Sequence, residues 1–417
     1  MTIALDDEAA AMRAGAFGEA RRLAIEHQIA VGDFFDAPDF VAVTQAHVMG
    51  DTESLGEAGV AYVERLAALP EAERRTRIPT ITDPRGLDFA AYRRLGQTEA
   101  MAALERRAAH ALEALGVLMT NTCINYQTVM PPTRGEHLAM GDTGVAIYCN
   151  SVFGARTNFE GGPSALAAGL TGRTPRYGYH LDRYRRATRH FVVDAPLRDL
   201  ADWGALGALI GRSCNSYWEV PVIEGVTVSP GSDALKQLGA AMASFGSTAL
   251  FHLVGLTAEA RDLGDVSDGS LPEPKVIRLG DIEGLYRRYE APGEKVDVVV
   301  FSAPQLSLME LDDLARRLDG RTVHPETDLL IATSPENKSA ADRMGLTRRI
   351  EVAGGLVLEG VCFYQSYARE MAEAMGWHRL MTPSAKLANI IGGYGYAPTL
   401  GTVEQCVDAA VVGRISA

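Results

Sequence analysis

Three short apolar runs, each followed by a loop, constrain this 417-residue chain more than any other feature. Val296 to Ser302 reads VDVVVFS, the β-branched pattern of a strand buried on both faces. After a short loop, Ser307-Leu308-Met309-Glu310 forms an S-x-x-E capping box that opens a helix to about Leu318. Asp328 to Ser334, DLLIATS, predicts a second strand with a loop and helix behind it. Leu356 to Val361 predicts a third, ending at Cys362. Repeated strand–loop–helix units imply a parallel sheet covered by helices. In such sheets ligands collect outside the carboxyl ends of the strands. Further upstream, residues 6–29 read as a helix with Asp6, Asp7 and Glu8 at the end that favours acids. Residues 98–114, rich in Ala, Leu, Glu and Arg, read as another. Gly116 stops it, Val117-Leu118-Met119 is strand-like, and Cys123 follows. Cys123 and Cys362 are therefore both expected just past a strand.

Charge and cysteine usage exclude several classes. Lys plus Arg is 40 against 53 Asp plus Glu, a net charge of −13, so nucleic acid is not an expected partner. No run reaches the ~18 to 20 apolar residues of a membrane span. The acidic N-terminus lacks the apolar core of a secretory peptide. Five cysteines, an odd number without a Cys-x-x-Cys, argue against a disulfide framework and for a reducing cytoplasm. The length suits two or three domains, and no Pro/Gly/Ser-rich linker separates them.

The densest polar stretch is 134–180. Asn150-Ser151, Arg156-Thr157-Asn158 and Thr171-Gly172-Arg173-Thr174 set hydroxyl, amide and guanidinium groups beside glycines. Such groups suit a small anionic ligand, because exposed N–H groups and a forked Arg bind carboxylate or phosphate. A set of surface loops built from turn residues reads equally well.

Longer motifs add a resemblance. Leu55 to Gly59, Thr122-Cys123, Asn150 to Asn158 (NSVFGARTN), Glu160 to Ser164 and Thr171 to Pro175 (TGRTP) are similar to motifs of the aconitase X family. So are Phe251 to Thr257, Ser384-Ala385-Lys386 and the tail from Cys406 to Arg414. They lie in order over nearly the whole chain. The resemblance implies an α/β fold: an aconitase-like catalytic core of packed three-layer α/β/α subdomains with mainly parallel sheets, lacking the swivel domain. Subdivisions near 1–130, 131–290 and 291–417 are expected. It implies an iron–sulfur hydro-lyase that dehydrates a small hydroxy acid and works with a separate small swivel-domain subunit. One branch of the family acts on cis-3-hydroxy-L-proline and another on 5-phosphomevalonate.

Site residues follow from the same resemblance. Cys123 and Cys362 match cluster ligands. Where the phosphomevalonate branch has Cys-Pro-His, this chain reads Ala303-Pro304-Gln305, so a third cysteine ligand is missing. A 2Fe–2S cluster, or a ligand supplied by Cys149, is expected in place of a three-cysteine 4Fe–4S site. Cys406, in step with Val403, Val407 and Ala410, reads as core. Gly56, Glu57, Asp83, Pro84, Thr143, Gly144 and Lys386 match substrate-contact positions, and Arg156 and Arg173 are candidates to hold the carboxylate. Asp142-Thr143-Gly144 stands where the phosphomevalonate branch has Glu-Ser-Ser, one hydroxyl fewer, which points to hydroxyproline. Lys386, Ser151 and His47 are the candidate catalytic residues. A binding or regulatory subunit of the same fold without a cluster is the rival of a different class.

Overall fold

Val298–Leu306 is buried along its whole length, and its side chains alternate between two cores. Val299 and Phe301 pack with Leu311 and Leu314 on one face. Val298 and Val300 pack with Met371 and Leu387 on the other. That alternation is the period of a strand covered on both sides, and it makes this region a three-layer α/β/α unit. The computed structural model describes residues 2–416.

In the first region, β1 (Phe40–Ala42) pairs antiparallel with β5 (Arg173–Pro175). β2 (Ala46–Val48) lies between β3 (Thr80–Thr82) and β4 (Ala139–Met140), both parallel to it. The second region holds β6 (Arg189–Asp194), β7 (Pro221–Glu224), β8 (His252–Leu253) and β9 (Lys275–Arg278), parallel in the order β8-β7-β6-β9. The third holds β10 (Val298–Leu306), β11 (Asp328–Thr333), β12 (Gly355–Glu359), β13 (Arg379–Thr382) and β14 (Ala397–Leu400), parallel in the order β12-β11-β10-β13-β14.

The C-terminal strands and the Ser307 capping box lie where the sequence puts them. Ser307 Oγ accepts from Glu310 N, and Glu310 reaches back to Ser307 N at 2.8 Å. The helix expected over 98–114 runs Glu99–Ala114. The helix expected over 6–29 is two, Asp7–Arg13 and Glu19–Phe34. Gly15 and Gly18, both at positive φ, turn the chain between them. The Val117–Met119 run forms only a bridge, Leu118 to Ile81, because the chain leaves the sheet after one pair.

Candidate functional site

The parallel strands of the first sheet deliver acids and a thiol to one edge. Asp51 follows β2, Asp83 follows β3 and Asp142 follows β4. Cys123 comes next to them because Leu118 extends the sheet beside Ile81 and Thr122 N donates to Thr82 O at 3.1 Å. The third sheet presents its own carboxyl edge opposite: Gln305 at the end of β10, Cys362 beyond β12, and Ser384 and Lys386 beyond β13. The two cysteines, one from each sheet, meet thiol to thiol. Both are buried.

Local folding explains each placement. Asp142 caps the helix Thr143–Tyr148 by accepting from Val145 N at 3.0 Å. Its other oxygen lies 3.6 Å from Lys386 Nζ. Ser384 caps Ala385–Ile391, accepting from Leu387 N, and donates to Ala303 O at 2.6 Å. Lys386 thus sits in the first turn, against the preference of a helix N-terminus for acids. Its ammonium lies 5.3 Å from the centroid of the Tyr364 ring. A side chain at Gly144 would begin 3.7 Å from Lys386 Nζ and 3.0 Å from Asp142 Oδ1, so glycine leaves that space open.

Burial sets the charges. Burial alone would pull the Lys386 amine down, but Asp142, Cys362, Cys123 and Asp83 more than offset it and hold Lys386 as an ammonium. Contact with Cys362 and then burial push the Cys123 thiol well up, with Lys386 opposing. Burial, followed by Asp142 and Cys123, pushes Asp83 well above the carboxylate range. Asp83 Oδ2 accepts from Gln365 Nε2 at 2.9 Å, while Oδ1 is buried without a hydrogen bond, 3.5 Å from His47 Nε2. Burial lowers His47, so its imidazole is neutral. Nε2–H donates to Thr122 O at 2.8 Å, which fixes the tautomer and leaves Nδ1 an unpartnered lone pair.

The other sequence candidates divide. Pro84 is buried beside Asp83, and Thr143 is half-buried at the start of its helix. Gly56 stands inside the helix Thr52–Ala67 at φ 58°, ψ −177°, a conformation essentially restricted to glycine, and breaks it there. Glu57 faces solvent and pairs with Arg107 at 3.0 Å, away from the cysteines. Four further candidates are engaged elsewhere in the structure. Arg173 is engaged by Asp6 and Glu8, and Arg156 by Asp182 and His180 O, so neither guanidinium is presented to the cysteine edge. Ser151 Oγ accepts from Phe251 N at 2.9 Å and holds the backbone. Cys149 is fully buried in an apolar cluster with Ile147, Ala155 and Phe251. Among the described residues no three or more His, Cys, Asp or Glu converge as metal donors, so Cys149 does not complete a set with the pair.

Sequence reasoning missed a neighbouring cluster that joins the regions. Thr52 Oγ1 donates to Glu105 Oε2 at 2.5 Å and meets Tyr367 OH at 2.7 Å. Glu53 accepts from Tyr367 N at 2.6 Å. Burial raises Asp51 to about 6, and Glu53 and Glu105 to about 7. The signal available was Asp51 as a helix cap directly after β2.

An α/β protein with two thiols, an ammonium and buried carboxyls at facing sheet edges is built as a hydro-lyase of aconitase type. Family models agree: aconitase X first, second and third domains match residues 2–183, 187–286 and 296–412. A phosphomevalonate dehydratase large subunit of Methanothermobacter thermautotrophicus is 36% identical over 93% of this chain and 94% of its own length. A cis-3-hydroxy-L-proline dehydratase of Pseudomonas aeruginosa is 31% identical over 97% of this chain and 69% of its own length. The crystal structure of Thermococcus kodakaraensis aconitase X in its holo-form superposes with a TM-score of 0.88 at 28% identity, over 98% of this chain and all of that one. The chain belongs to the aconitase X family and is a dehydratase. No helix among the described residues is long and apolar enough to cross a membrane.

Proposed function

We propose that this chain is the large subunit of a two-subunit iron–sulfur dehydratase acting on cis-3-hydroxy-L-proline. The observation that carries the reading is the contact of two buried thiols beside a buried ammonium, where two parallel sheets turn their carboxyl edges to each other. The donor set fits such a group in kind: thiolate is the ligand iron–sulfur clusters take. Cys123 and Cys362 would hold the cluster. With Ala303 standing where a third cysteine would be, a 2Fe–2S form is favoured over 4Fe–4S. When bound, the cluster supplies Lewis-acid polarisation for the leaving hydroxyl. The small subunit completes the site, in line with the large-subunit names of relatives such as that of Methanothermobacter. The five cysteines are all unpaired, in keeping with a reducing cytoplasm.

The chain's own residues supply the rest of a β-elimination. The C–H bond beside the carboxylate breaks, its electron pair forms the ring double bond, and the hydroxyl on the next carbon leaves. Lys386, held as an ammonium, pairs with the substrate carboxylate and stabilises the enolate-like charge that develops on it. Neutral His47, its Nε2–H committed to Thr122 O, offers Nδ1 as the proton acceptor. Asp83 and Asp142 face the Lys386 ammonium. A zwitterion with one carboxylate and one ammonium balances this set better than a carboxylate joined to a phosphate. Gly144 points the same way, having no hydroxyl to offer a second anion.

Phosphomevalonate is the second reading, favoured by the 36% identity to a relative of that name. The chain, co-expressed with its small subunit and purified anaerobically, is supplied with each compound in turn. Loss of cis-3-hydroxy-L-proline is expected. Turnover of phosphomevalonate alone would overturn the substrate and leave the dehydratase. Absence of iron and sulfide, or full visible absorption in both Cys123→Ala and Cys362→Ala, would overturn the cluster.

A further inference from the structure

Gln305 lies two residues past Ala303, where the expected cysteine ligand is missing, and its side chain is fully buried with all its hydrogen-bonding groups engaged. Cys123 N donates to Oε1 at 3.2 Å. Nε2 donates toward three carbonyls: Asn121 at 3.1 Å, Val361 at 3.1 Å and Thr333 at 3.3 Å. The Gln305 backbone N–H points at Cys123 Sγ, 3.5 Å away. Asn121 and Val361 are near neighbours of the two cysteines, one on each side of the junction. The carboxamide can be oriented only one way, because an oxygen cannot face three carbonyls. The anchor behind it is also fixed. Lys236, whose side chain is fully buried, donates to Gln305 O at 3.0 Å and pairs with Glu310, and with Asp233 at 3.2 Å.

We propose that Gln305 is a positioning residue: one carboxamide ties the Cys123 loop to the Cys362 loop and holds the two thiols in register. The inference deepens the cluster reading and rests on it for its purpose, while the clamp itself is made of protein groups alone. Loss of this buried donor leaves the Asn121 and Val361 carbonyls short of a partner, while Thr333 O keeps Gly360 N at 2.9 Å, so both loops loosen toward water. The neighbouring Ser302 steadies the second loop, with Oγ accepting from Phe363 N at 3.0 Å, and it stays in place in every variant below.

The test uses the full, iron-free chain and reads each cysteine separately. Iodoacetamide labelling is followed by peptide mass mapping, with fully buried Cys149 and Cys406 as internal controls. Gln305→Leu and the isosteric Gln305→Glu are compared with the parent. Labelling of Cys123 and Cys362 is expected to accelerate at least about tenfold while Cys149 and Cys406 keep their rates. Unchanged Cys123 and Cys362 rates would overturn the proposal, and so would equal acceleration of all four, which marks general loosening. If neither variant folds, amide hydrogen exchange in the parent protein decides. Protection of the Cys123 N–H equal to that of β10 amides is expected, and free exchange there would refute the clamp. Iron and sulfide content is measured separately, on the parent isolated anaerobically before any iron is removed. A parent that holds no iron but shows the labelling contrast would sink the cluster reading and keep the clamp.

Discussion

The polar block 134–180 and the edge where Cys123 meets Cys362 use buried polar groups in opposite ways. In the block, Asn150 Nδ2 donates to Thr157 O and Ala249 O, and its Oδ1 accepts from Thr157 N and Arg185. Asn158 binds Tyr177 O and Tyr179 N. Arg185 pairs with Glu259 at 2.7 Å. Asn150, Asn158 and the adjoining Arg185 are saturated by the chain itself, and His180 Nε2 is the exception in the block. At the cysteine edge, Asp83 Oδ1, His47 Nδ1 and Asp51 Oδ2 are buried and unpartnered. An unsatisfied buried polar group costs ~1 to 3 kcal/mol, and proteins tolerate that cost where function uses it. Saturation dominates in the block, and open valence gathers at the cysteine edge.

Arg185→Leu tests the scaffold side with the largest expected effect. It strands Glu259 and the Asn150 carbonyl, so stability should fall by about 3 to 5 kcal/mol in urea unfolding. A loss below about 1 kcal/mol, the level of an exposed pair, would break the contrast. Lys386→Met tests the other side. It should lower kcat/KM about ten- to a hundredfold, the ~1.5 to 3 kcal/mol of a charge-assisted contact. Circular dichroism should stay unchanged, and unaltered kinetics would remove Lys386 from the site.

Glu160 sharpens the comparison through pH. Burial raises it from 4.5 to about 7, with the Thr174 hydroxyl opposing. The folded chain therefore binds this proton more tightly than the unfolded one. Its contribution is complete below about pH 4.5 and is lost as pH rises through about 7. Glu160→Gln should be more stable than the parent at pH 8 and closer to it at pH 5. Thermal melts with the same difference at both values would contradict this. Arg173→Ala should have the smallest effect: kcat/KM within about twofold and a stability loss of at most ~1 kcal/mol, as for partly exposed pairs with Asp6 and Glu8. A hundredfold fall in kcat/KM would return Arg173 to the site.

The sequence disclosed three of the five strands of the third sheet, because β-branched runs and a capping box are local signals, while Arg379–Thr382 and Ala397–Leu400 are short and carry a Pro or no β-branched run. Strands of two or three residues, such as Ala46–Val48 and Ala139–Met140, leave no period to detect. Cys123, Cys362 and Lys386, all named from the sequence, come together in the fold. Lys386 also breaks a local rule, a cation in a first helical turn, which is a physical mark of function. Arg156 and Arg173 misled because composition reports which donors exist and says nothing of which acceptors reach them. Asp6 lies 167 residues from Arg173. Gln305 was visible only as the residue two places after the absent cysteine; its four partners come from three separate segments.

That the two thiols belong to different sheets couples chemistry to assembly. Any ion bridging both sulfurs binds only the arrangement in which the first and third regions are docked, and its binding free energy adds to their cohesion by linkage. Cofactor loss would then register first as slackened docking between these two halves, with each sheet intact, ahead of any general unfolding. A limited protease would cut at their junction while the strands on either side kept their protection.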